Sequence, residues 1–392
     1  MFVDQVERSA PMRSRTAIGV TLDDEHDLRF VRETGAHLVV IDIAKGLDVL
    51  AEDAAPVTAE TEAALVAIAD APVAPGRATL AEEIVRAREI HRRALAVVKV
   101  VMLETRLRRR VGFHRVAPVV HDVIGSIDSN PDALLGLARI GDKSEHLFRH
   151  AVSVCVLLVA FCRFRGIEGD TLYQAGLGGL LLDIGKALVP EHVLNKPNAL
   201  TEEELRLLRQ HPGDGHQLLS AMPDIGDVAL DIALHHHERF NGNGYPFGKS
   251  GAETSELAQM AAIVDCYCKL TVDTPRQVGV DPAQALRIMY ERDRSRFDPA
   301  LLQSFIRCVG IYPVGTLVLL ESKRLAVVLE RHPTSLLTPK VRVFFDAASL
   351  GYLKPSVLDL SSKASSDGGD RIVRHEQPVK WNFAPLSIAA LA

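Results

Sequence analysis

The longest continuous pattern in this chain is a series of helical segments that runs from Val116 to Cys308. Each segment repeats apolar residues at helical spacing, and Gly, Pro or Asn separates it from the next. Segments of this kind bury their apolar faces against one another, so the pattern predicts an all-α domain of about 190 residues. A long helix over 79–111 is predicted to lead into it, with Thr79 and Glu82 in the pattern of a capping box.

The pattern changes on both sides of the helical region. Residues 17–46 alternate between strand, amphipathic helix and strand, which indicates a small α/β unit. Residues 311–361 contain short β-branched and aromatic runs, which predict a small antiparallel sheet. The predicted fold class is therefore mainly α. The predicted organisation is an α/β domain over 1–50, an Ala/Pro-rich linker over 51–78, a helical domain over 79–310, a β extension over 311–361, and a flexible joint and tail over 362–392.

Composition restricts the function classes. The chain is 47% hydrophobic and 24% charged, which is typical of a soluble globular protein, and no apolar run approaches the roughly 18 to 20 residues of a membrane span. The N-terminus lacks the apolar core of a signal peptide, so we expect a cytoplasmic location and no transmembrane segment. Five cysteines without a C-x-x-C pair predict buried reduced thiols. A net charge of −5 without a long basic run argues against duplex nucleic acid as a partner.

Side chains that could hold a metal ion recur in the helical region. His235, His236 and His237 are consecutive, and the other candidates are His150, Asp183, His211 and Asp265. Imidazole and carboxylate ligands without thiolate suit manganese or iron, and zinc less exclusively. A carboxylate such as Asp183 can bridge two metal ions about 3.5 to 4 Å apart, which polarises a phosphate and activates a bound water. The residue types therefore fit phosphodiester hydrolysis.

Taken singly, each candidate also has an ordinary structural explanation. Those explanations are a partly buried histidine at His150, a cation at a helix C-terminus at His211, a buried ion pair between Asp183 and Lys186, and a buried hydrogen-bonded acid at Asp265. The histidine triplet is harder to explain without a site or an expression tag. Within the triplet, His235 is the member that we expect not to bind.

The amino-acid sequences of these segments resemble those of a known family. The run LDIGKALVPEHVLNKPNALTEEELRLLRQHPGDG, followed by HHERFNGNGYP and AIVD, is similar to the HD-GYP subgroup of the HD-domain metal-dependent phosphohydrolases. The similarity covers 141–298. The N-terminal region resembles the small domain of unknown function that often precedes HD-GYP domains, and IYPVGTLVLL resembles the β extension that follows them. The opening MFV resembles the middle of that domain's first strand, so we expect the true start to lie upstream of Met1.

The resemblance implies an HD-GYP helical bundle that hydrolyses cyclic di-GMP to the linear dinucleotide or GMP in bacterial second-messenger signalling. The implied metal ligands of its two- or three-metal site are His150, Asp183, His211, His236, His237 and Asp265. Asp183 and Lys186 are the implied catalytic residues, because Lys186 matches the lysine that meets the substrate phosphate. The implied substrate-binding residues are Lys186, Gly242, Gly244, Tyr245 and Pro246. His146, one turn before His150, lies near an acidic ligand position of three-metal members.

The chain departs from the family pattern at several positions. The family's His-Asp pair reads Leu182-Asp183, so the second set of ligands keeps only His150, Asp183 and Asp265. A separate His121-Asp122 pair lacks the following Gly-Lys, and we interpret it as coincidence. The other departures are Asn241 for the usual acid of the signature loop, Cys268 for a common acid, and Gln259 and Thr274 for arginines. Lost arginines remove bidentate phosphate contacts.

Two functions follow from this pattern. The first is a metal-dependent cyclic di-GMP phosphodiesterase with reduced activity, favoured because the bridging Asp183 is retained. The alternative is a catalytically inactive HD-GYP protein that acts as a cyclic di-GMP receptor or as an interaction module for a diguanylate cyclase or other signalling partner. A general HD-type nucleotidase is disfavoured by the GYP loop. The expected cofactor is Fe or Mn, with one site well preserved, and a homodimer is compatible with the sequence.

Overall fold

The computed structural model describes residues 2–8, 15–21, 36–41 and 78–383, the last range with gaps at 108–111, 138–144, 223, 273, 275–278, 281, 292–293, 333–334, 336, 363–369, 377 and 382. The chain divides into two compact units, Met1–Glu62 and Ala63–Ala392. Almost all of the predicted linker over 51–78 lies outside the described residues.

The N-terminal unit contains a three-stranded antiparallel sheet. Its strands are β1 (Phe2–Arg8), β2 (Arg15–Thr21) and β3 (Ala36–Ile41), in the order β2-β1-β3. β1 is the central strand and pairs on both edges, which agrees with the resemblance of the opening residues to a first strand. The helix predicted between β2 and β3 lies outside the described residues.

The second unit begins with a long helix, α1 (Leu80–Arg106). Its capping box forms as predicted, because the Thr79 hydroxyl accepts from the Glu82 amide and the Glu82 carboxylate accepts from the Thr79 amide. The helix ends at Arg106, five residues before the predicted limit of 111. Its apolar stripe is buried, and it packs against the helices that follow.

Most of the helices that follow pack around a shared apolar core, and the short segments Glu191–Leu194 and Glu202–Leu208 lie outside it. The helices are α2 (Val116–Ser129), α3 (Pro131–Leu137), α4 (His146–Phe164), α5 (Gly169–Leu181), α6 (Glu191–Leu194), α7 (Glu202–Leu208), α8 (His211–Ser220), α9 (Asp227–His235), α10 (Glu256–Thr271), α11 (Pro282–Glu291) and α12 (Pro299–Val309). Short 3-10 turns lie at Phe113–Arg115, Ile184–Leu188, Gly251–Glu253 and Arg294–Arg296. The mainly helical architecture predicted from the sequence is confirmed.

Helix α4 is long and strongly apolar. By length and composition alone it could cross a membrane, with a mean hydropathy of 1.8, but 78% of its most apolar window is buried inside the protein. Residues on all of its faces contact other helices, including α2, α5 and α10. It therefore has the burial of a core helix, and it carries two of the five cysteines, all of which are buried and free.

A five-stranded antiparallel sheet follows the bundle. The strands are β4 (Leu317–Leu320), β5 (Arg324–Glu330), β6 (Lys340–Asp346), β7 (Gly351–Asp359) and β8 (Ile372–His375), in the order β7-β6-β5-β4-β8. The chain after 361 differs from the predicted flexible tail, because β8 pairs with β4 and a 3-10 turn at Pro378–Trp381 follows. The Trp381 ring packs edge-on against Phe345. The strand pairing joins residues about 55 positions apart and the ring contact joins residues about 36 apart, which a local pattern does not reveal.

Candidate metal centre

Four of the predicted ligands meet in one buried cluster. Asp183, His211, His236 and His237 each offer a ligand atom, and these atoms all lie within 4.8 Å of one another. Asp183 lies where α5 gives way to the 3-10 turn at Ile184–Leu188, and the two histidines from the triplet follow α9 directly.

His211 lies at the start of a helix rather than at an end. It is the first residue of α8, with Pro212 in the first turn. The alternative explanation of His211 as a cation at a helix C-terminus is correct for the contact and wrong for the charge. Nδ1 bonds the carbonyl oxygen of Leu208, the last residue of α7, but burial lowers the pKa of His211 to about 4, so the imidazole is neutral at neutral pH. The close approach of the Ile184–Leu188 turn to α8 requires the glycine at Gly185. A Cβ there would overlap the carbonyl oxygen of His211 and lie 2.7 Å from the amide nitrogen of Gly215.

Backbone hydrogen bonds fix the orientation of two imidazoles. Nδ1 of His211 lies 2.6 Å from the carbonyl oxygen of Leu208, and Nδ1 of His236 lies 2.9 Å from that of Ala233. A carbonyl oxygen only accepts, so both Nδ1 atoms carry the proton and both Nε2 atoms present lone pairs. Neutral imidazole with a free Nε2 is the form that ligates metal ions.

The free lone pairs converge with a carboxylate oxygen. The two Nε2 atoms lie 3.4 Å apart, and they are 3.2 Å (His211) and 3.7 Å (His236) from Oδ1 of Asp183. Among the described residues, this buried Oδ1 has no hydrogen-bond partner. Three acceptors facing one another repel unless a cation lies between them, so the donor set fits a divalent metal ion.

Burial and neighbouring charges keep the cluster in its metal-binding protonation state. Burial lowers the pKa of His211 to about 4 and holds the pKa of His237 well below its usual range. Burial acts to raise the pKa of Asp183, but the Lys186 ammonium together with His211 and His236 outweighs it, and the pKa lies well below its usual range. Nζ of Lys186 is 2.6 Å from Oδ2 of Asp183. At neutral pH the site therefore contains neutral His211 and His237 beside a carboxylate.

The remaining predicted ligands form a second group beside the first. Nε2 of His150 lies 2.9 Å from Oδ1 of Asp265 and 3.6 Å from Oδ2 of Asp183. Leu182, which occupies the position of the family histidine, is fully buried. Burial acts to raise the pKa of Asp265, yet this pKa is lowered because the Lys269 ammonium is adjacent.

Lys269 belongs to the site although the sequence interpretation did not include it. Its Nζ lies 2.8 Å from Oδ2 of Asp265 and 3.2 Å from Nε2 of His237. The signal was present, because a lysine four residues after an acid on a helix shares its face. That spacing also describes ordinary surface ion pairs, and only the fold places this pair in the metal site.

The signature loop packs against the cluster. A Cβ at Gly244 would lie 2.5 Å from the amide nitrogen of Arg239, so only glycine fits there, and Gly242 has a φ of 75°. The Tyr245 amide donates to the carbonyl oxygen of His237, and the Tyr245 ring stacks on the His237 ring with centroids 4.5 Å apart. Burial raises the pKa of Tyr245, which keeps its hydroxyl protonated. Pro246 follows directly in the loop.

Glu238 makes hydrogen bonds to the signature loop, and it was not among the site residues predicted from the sequence. Its carboxylate accepts from the amides of Phe247 (2.7 Å) and Lys249 (3.0 Å). His235 faces away from the cluster, with Nδ1 2.8 Å from Oδ1 of Asp231 and Nε2 3.1 Å from Nζ of Lys249. Glu238, which directly follows the histidine triplet, therefore stabilises the loop rather than binding a metal ion.

The other positions singled out from the sequence have defined surroundings. The Gln259 amide donates to the carbonyl oxygens of Gly251 and Thr254, both at 3.1 Å, so it supports the loop backbone in place of an arginine. Oδ1 of Asn241 accepts from the Asn243 amide, and Cys268 is buried. Thr274 follows α10, and His146 is the buried first residue of α4. His121 stacks on Tyr173, and Asp122 pairs with Arg93.

The chain is similar to two protein families and to several named proteins. The family described as HD domain matches residues 138–301, and the family described as a domain of unknown function (DUF3391) matches residues 1–116. The cyclic di-GMP phosphodiesterase PA4108 of Pseudomonas aeruginosa is 41% identical over 94% of this chain and 87% of its own length. The cyclic di-GMP phosphodiesterase response regulator RpfG of Xanthomonas campestris is 35% identical over 36% of this chain and 38% of its own length.

Two further similarities involve other relatives. A 3'3'-cGAMP-specific phosphodiesterase of Vibrio cholerae is 30% identical over 45% of this chain and 41% of its own length. The solved structure of Bd1817, a HDG"Y"P protein of Bdellovibrio bacteriovorus, is 18% identical, with a TM-score of 0.49 over 78% of this chain and 92% of that chain.

Proposed function

This chain belongs to the HD-GYP family of HD-domain phosphohydrolases, and from that membership we propose that it hydrolyses cyclic di-GMP with a bound divalent metal ion. The observation that carries the proposal is the convergence of two imidazole lone pairs and an unpartnered carboxylate oxygen in one buried pocket of the described chain. The relative with the widest coverage carries the same activity in its name. Manganese or iron suits this set of nitrogen and oxygen donors.

The residues of the site have different roles in the proposed reaction. Asp183, His211, His236 and His237 would hold the metal ion, which supplies a Lewis acid and lowers the pKa of bound water. Lys186 holds the Asp183 carboxylate in place at 2.6 Å and presents a positive charge to a phosphate oxygen. Cleavage of one phosphodiester bond consumes one water and opens the ring to the linear dinucleotide, and cleavage of the second gives GMP.

In the proposed site, the signature loop forms one side of the substrate-binding surface. Tyr245 covers His237 and lies under the Arg209 guanidinium, which is 5.4 Å from the centre of the ring. Aromatic and guanidinium faces of this kind stack on nucleobases. The close backbone packing at Gly244 fixes where Tyr245 sits relative to the ligands.

A second candidate function has its own support. Leu182 and the ion pair between Asp265 and Lys269 weaken the second group of ligands, which favours a non-catalytic receptor for cyclic di-GMP or a module that binds a diguanylate cyclase. The family relatives support the enzyme more strongly, because a relative that shares 41% identity is named as a phosphodiesterase. The cytoplasmic location, the protein partner and the homodimer stay predictions.

Turnover and binding measurements separate these functions. The full chain, loaded with Mn²⁺ or Fe²⁺, would be incubated with cyclic di-GMP or 3'3'-cGAMP, and the products separated by chromatography. We expect linear dinucleotide or GMP from cyclic di-GMP, and no product from Asp183→Asn. Micromolar binding without turnover in the metal-loaded protein would support the receptor, preference for 3'3'-cGAMP would correct the substrate, and neither binding nor turnover would refute both functions.

A further inference from the structure

Lys269 lies where the second group of ligands would place a cation. Its Nζ is within 2.8 Å of Asp265 and 3.2 Å of His237, and Asp265 in turn contacts His150 at 2.9 Å. A carboxylate oxygen of Asp265 and an imidazole nitrogen of His150 are the atoms that would bind a second metal ion. The ammonium and a second metal ion therefore compete for the Asp265 carboxylate.

The ligands that remain are too few to displace this ammonium easily. Leu182 contributes hydrocarbon at the position before Asp183, so His150, Asp183 and Asp265 are the protein ligands left. Oδ1 of Asp265 contacts His150 and Oδ2 contacts Lys269. A second metal ion would have to break at least one of these contacts in a fully buried carboxylate, whereas in the first group Oδ1 of Asp183 has no hydrogen-bond partner among the described residues.

Charge balance leads to the same conclusion. The two carboxylates, Asp183 and Asp265, are each paired with an ammonium, from Lys186 and Lys269 respectively. The charges of these four groups sum to zero. One divalent ion therefore gives the four groups and the ion a total charge of +2, and two ions would give +4. A cyclic dinucleotide carries two negative phosphodiesters, which match a single divalent ion.

We propose that the Lys269 ammonium takes the position of the second metal ion, so that this chain binds a single resident ion held by Asp183, His211, His236 and His237. The inference rests on the proposed function for its substrate but not for its metal count. The Lys269 side chain is 38% exposed, and its ammonium contacts the Asp265 carboxylate. Lysine acts there as a fixed positive charge in place of an exchangeable one.

Metal stoichiometry tests the proposal without any need for turnover. Full-length chain stripped with chelator would be titrated with Mn²⁺, with bound metal counted by elemental analysis and by electron paramagnetic resonance. We expect one ion per chain and the spectrum of an isolated Mn²⁺ in the wild type and in Leu182→His, because Lys269 still fills the position. The double variant Leu182→His, Lys269→Ala is expected to bind two ions and to show a spin-coupled pair.

Several results would overturn the proposal. Two ions in the wild type would refute it whatever the variants do, and so would a folded double variant that binds only one. Lys269→Met, which keeps the side-chain length without the charge, replaces Lys269→Ala if the latter does not fold, as judged by circular dichroism. Lys340→Ala, which removes a lysine paired with Glu330 in the C-terminal sheet, is the control and should keep one ion. One ion without turnover would leave the inference intact and refute the proposed activity, and no ion at all would refute both.

Discussion

His235 and His236 are neighbours in the sequence with different electrostatic surroundings. His235 makes hydrogen bonds through both nitrogens, to Asp231 and to Lys249. His236 donates from Nδ1 to a backbone carbonyl and points Nε2 at His211 and Asp183. A free and correctly oriented lone pair, rather than the presence of an imidazole, therefore separates a ligand from a structural histidine.

Alanine substitutions at these two histidines should have different effects. His236→Ala removes one of four ligands, and we expect Mn²⁺ affinity to fall by about 100-fold or more, with turnover falling in parallel. His235→Ala is the matched control, since it deletes a neighbouring imidazole that is also buried, and it should keep the metal affinity within about 3-fold. Isothermal titration with Mn²⁺ measures both. Equal losses in the two variants would show that His236 is not a ligand.

At the scale of elements, the site depends on how closely the Ile184–Leu188 turn approaches α8. Gly185 lies at the contact, where a side chain would overlap the His211 carbonyl and approach the Gly215 amide. The turn carries Asp183 at its start, and α8 carries His211 as its first residue. The distance between these two ligands is therefore set by backbone packing, which a methyl group would disturb.

Gly185→Ala is expected to weaken both stability and metal binding. Moving backbone to admit the methyl should cost about 1 to 3 kcal/mol of unfolding free energy and should separate His211 from Asp183. Gly213→Ala, also in α8, is the control because a Cβ there meets nothing within 4 Å among the described residues, and it should be neutral or stabilise by up to about 1 kcal/mol. Urea unfolding and Mn²⁺ titration give the two quantities. Unchanged values for Gly185→Ala would contradict this account.

Helix α1 carries a histidine that should make stability depend on pH. Burial, with a contribution from the Arg149 charge, lowers the pKa of His91 to about 4, and its Nε2 is buried without a hydrogen-bond partner among the described residues. Between pH 6.5 and about 4 the unfolded chain binds a proton that the folded chain does not, so unfolding free energy falls as the pH falls through this window. Below about pH 4 the contribution of this group levels off.

Replacing His91 should remove that part of the pH dependence. Relative to wild type, His91→Leu should lose less unfolding free energy between pH 7.5 and 4, by a difference on the order of 2 kcal/mol. Urea unfolding in chelator at several pH values measures the difference, and chelator removes the contribution of bound metal. Parallel stability curves for the two proteins would show that His91 is not the titrating group.

At the scale of the second unit as a whole, one buried ion pair ties the C-terminal sheet to the helical bundle. Nε of Arg331, just after β5, lies 2.5 Å from Oδ1 of Asp132 in α3, and the Arg331 amide donates to Oδ2 at 3.1 Å. Both side chains are at most about one-tenth exposed. A fixed pair of this kind links residues 199 positions apart in the sequence.

Breaking this pair from one side should be costly. Asp132→Ala leaves the Arg331 guanidinium buried without its carboxylate, and we expect a loss of about 3 to 5 kcal/mol of unfolding free energy. Lys340→Ala breaks the exposed pair with Glu330 and should cost no more than about 1 kcal/mol. Urea unfolding of both variants provides the comparison. A loss below 1 kcal/mol for Asp132→Ala would mean that the sheet does not depend on this contact.

The sequence by itself determined the elements and the types of ligand. Helical spacing, the capping box at Thr79 and Glu82, and the motifs around Asp183 and Tyr245 are local signals, so they predicted the bundle, the family and the candidate ligands. The tertiary structure decided which lone pairs are free, that His211 begins a helix, and that β8 pairs with β4. It also brought Lys269 beside Asp265 and His237, because contacts between helices distant in sequence depend on packing that no local pattern encodes.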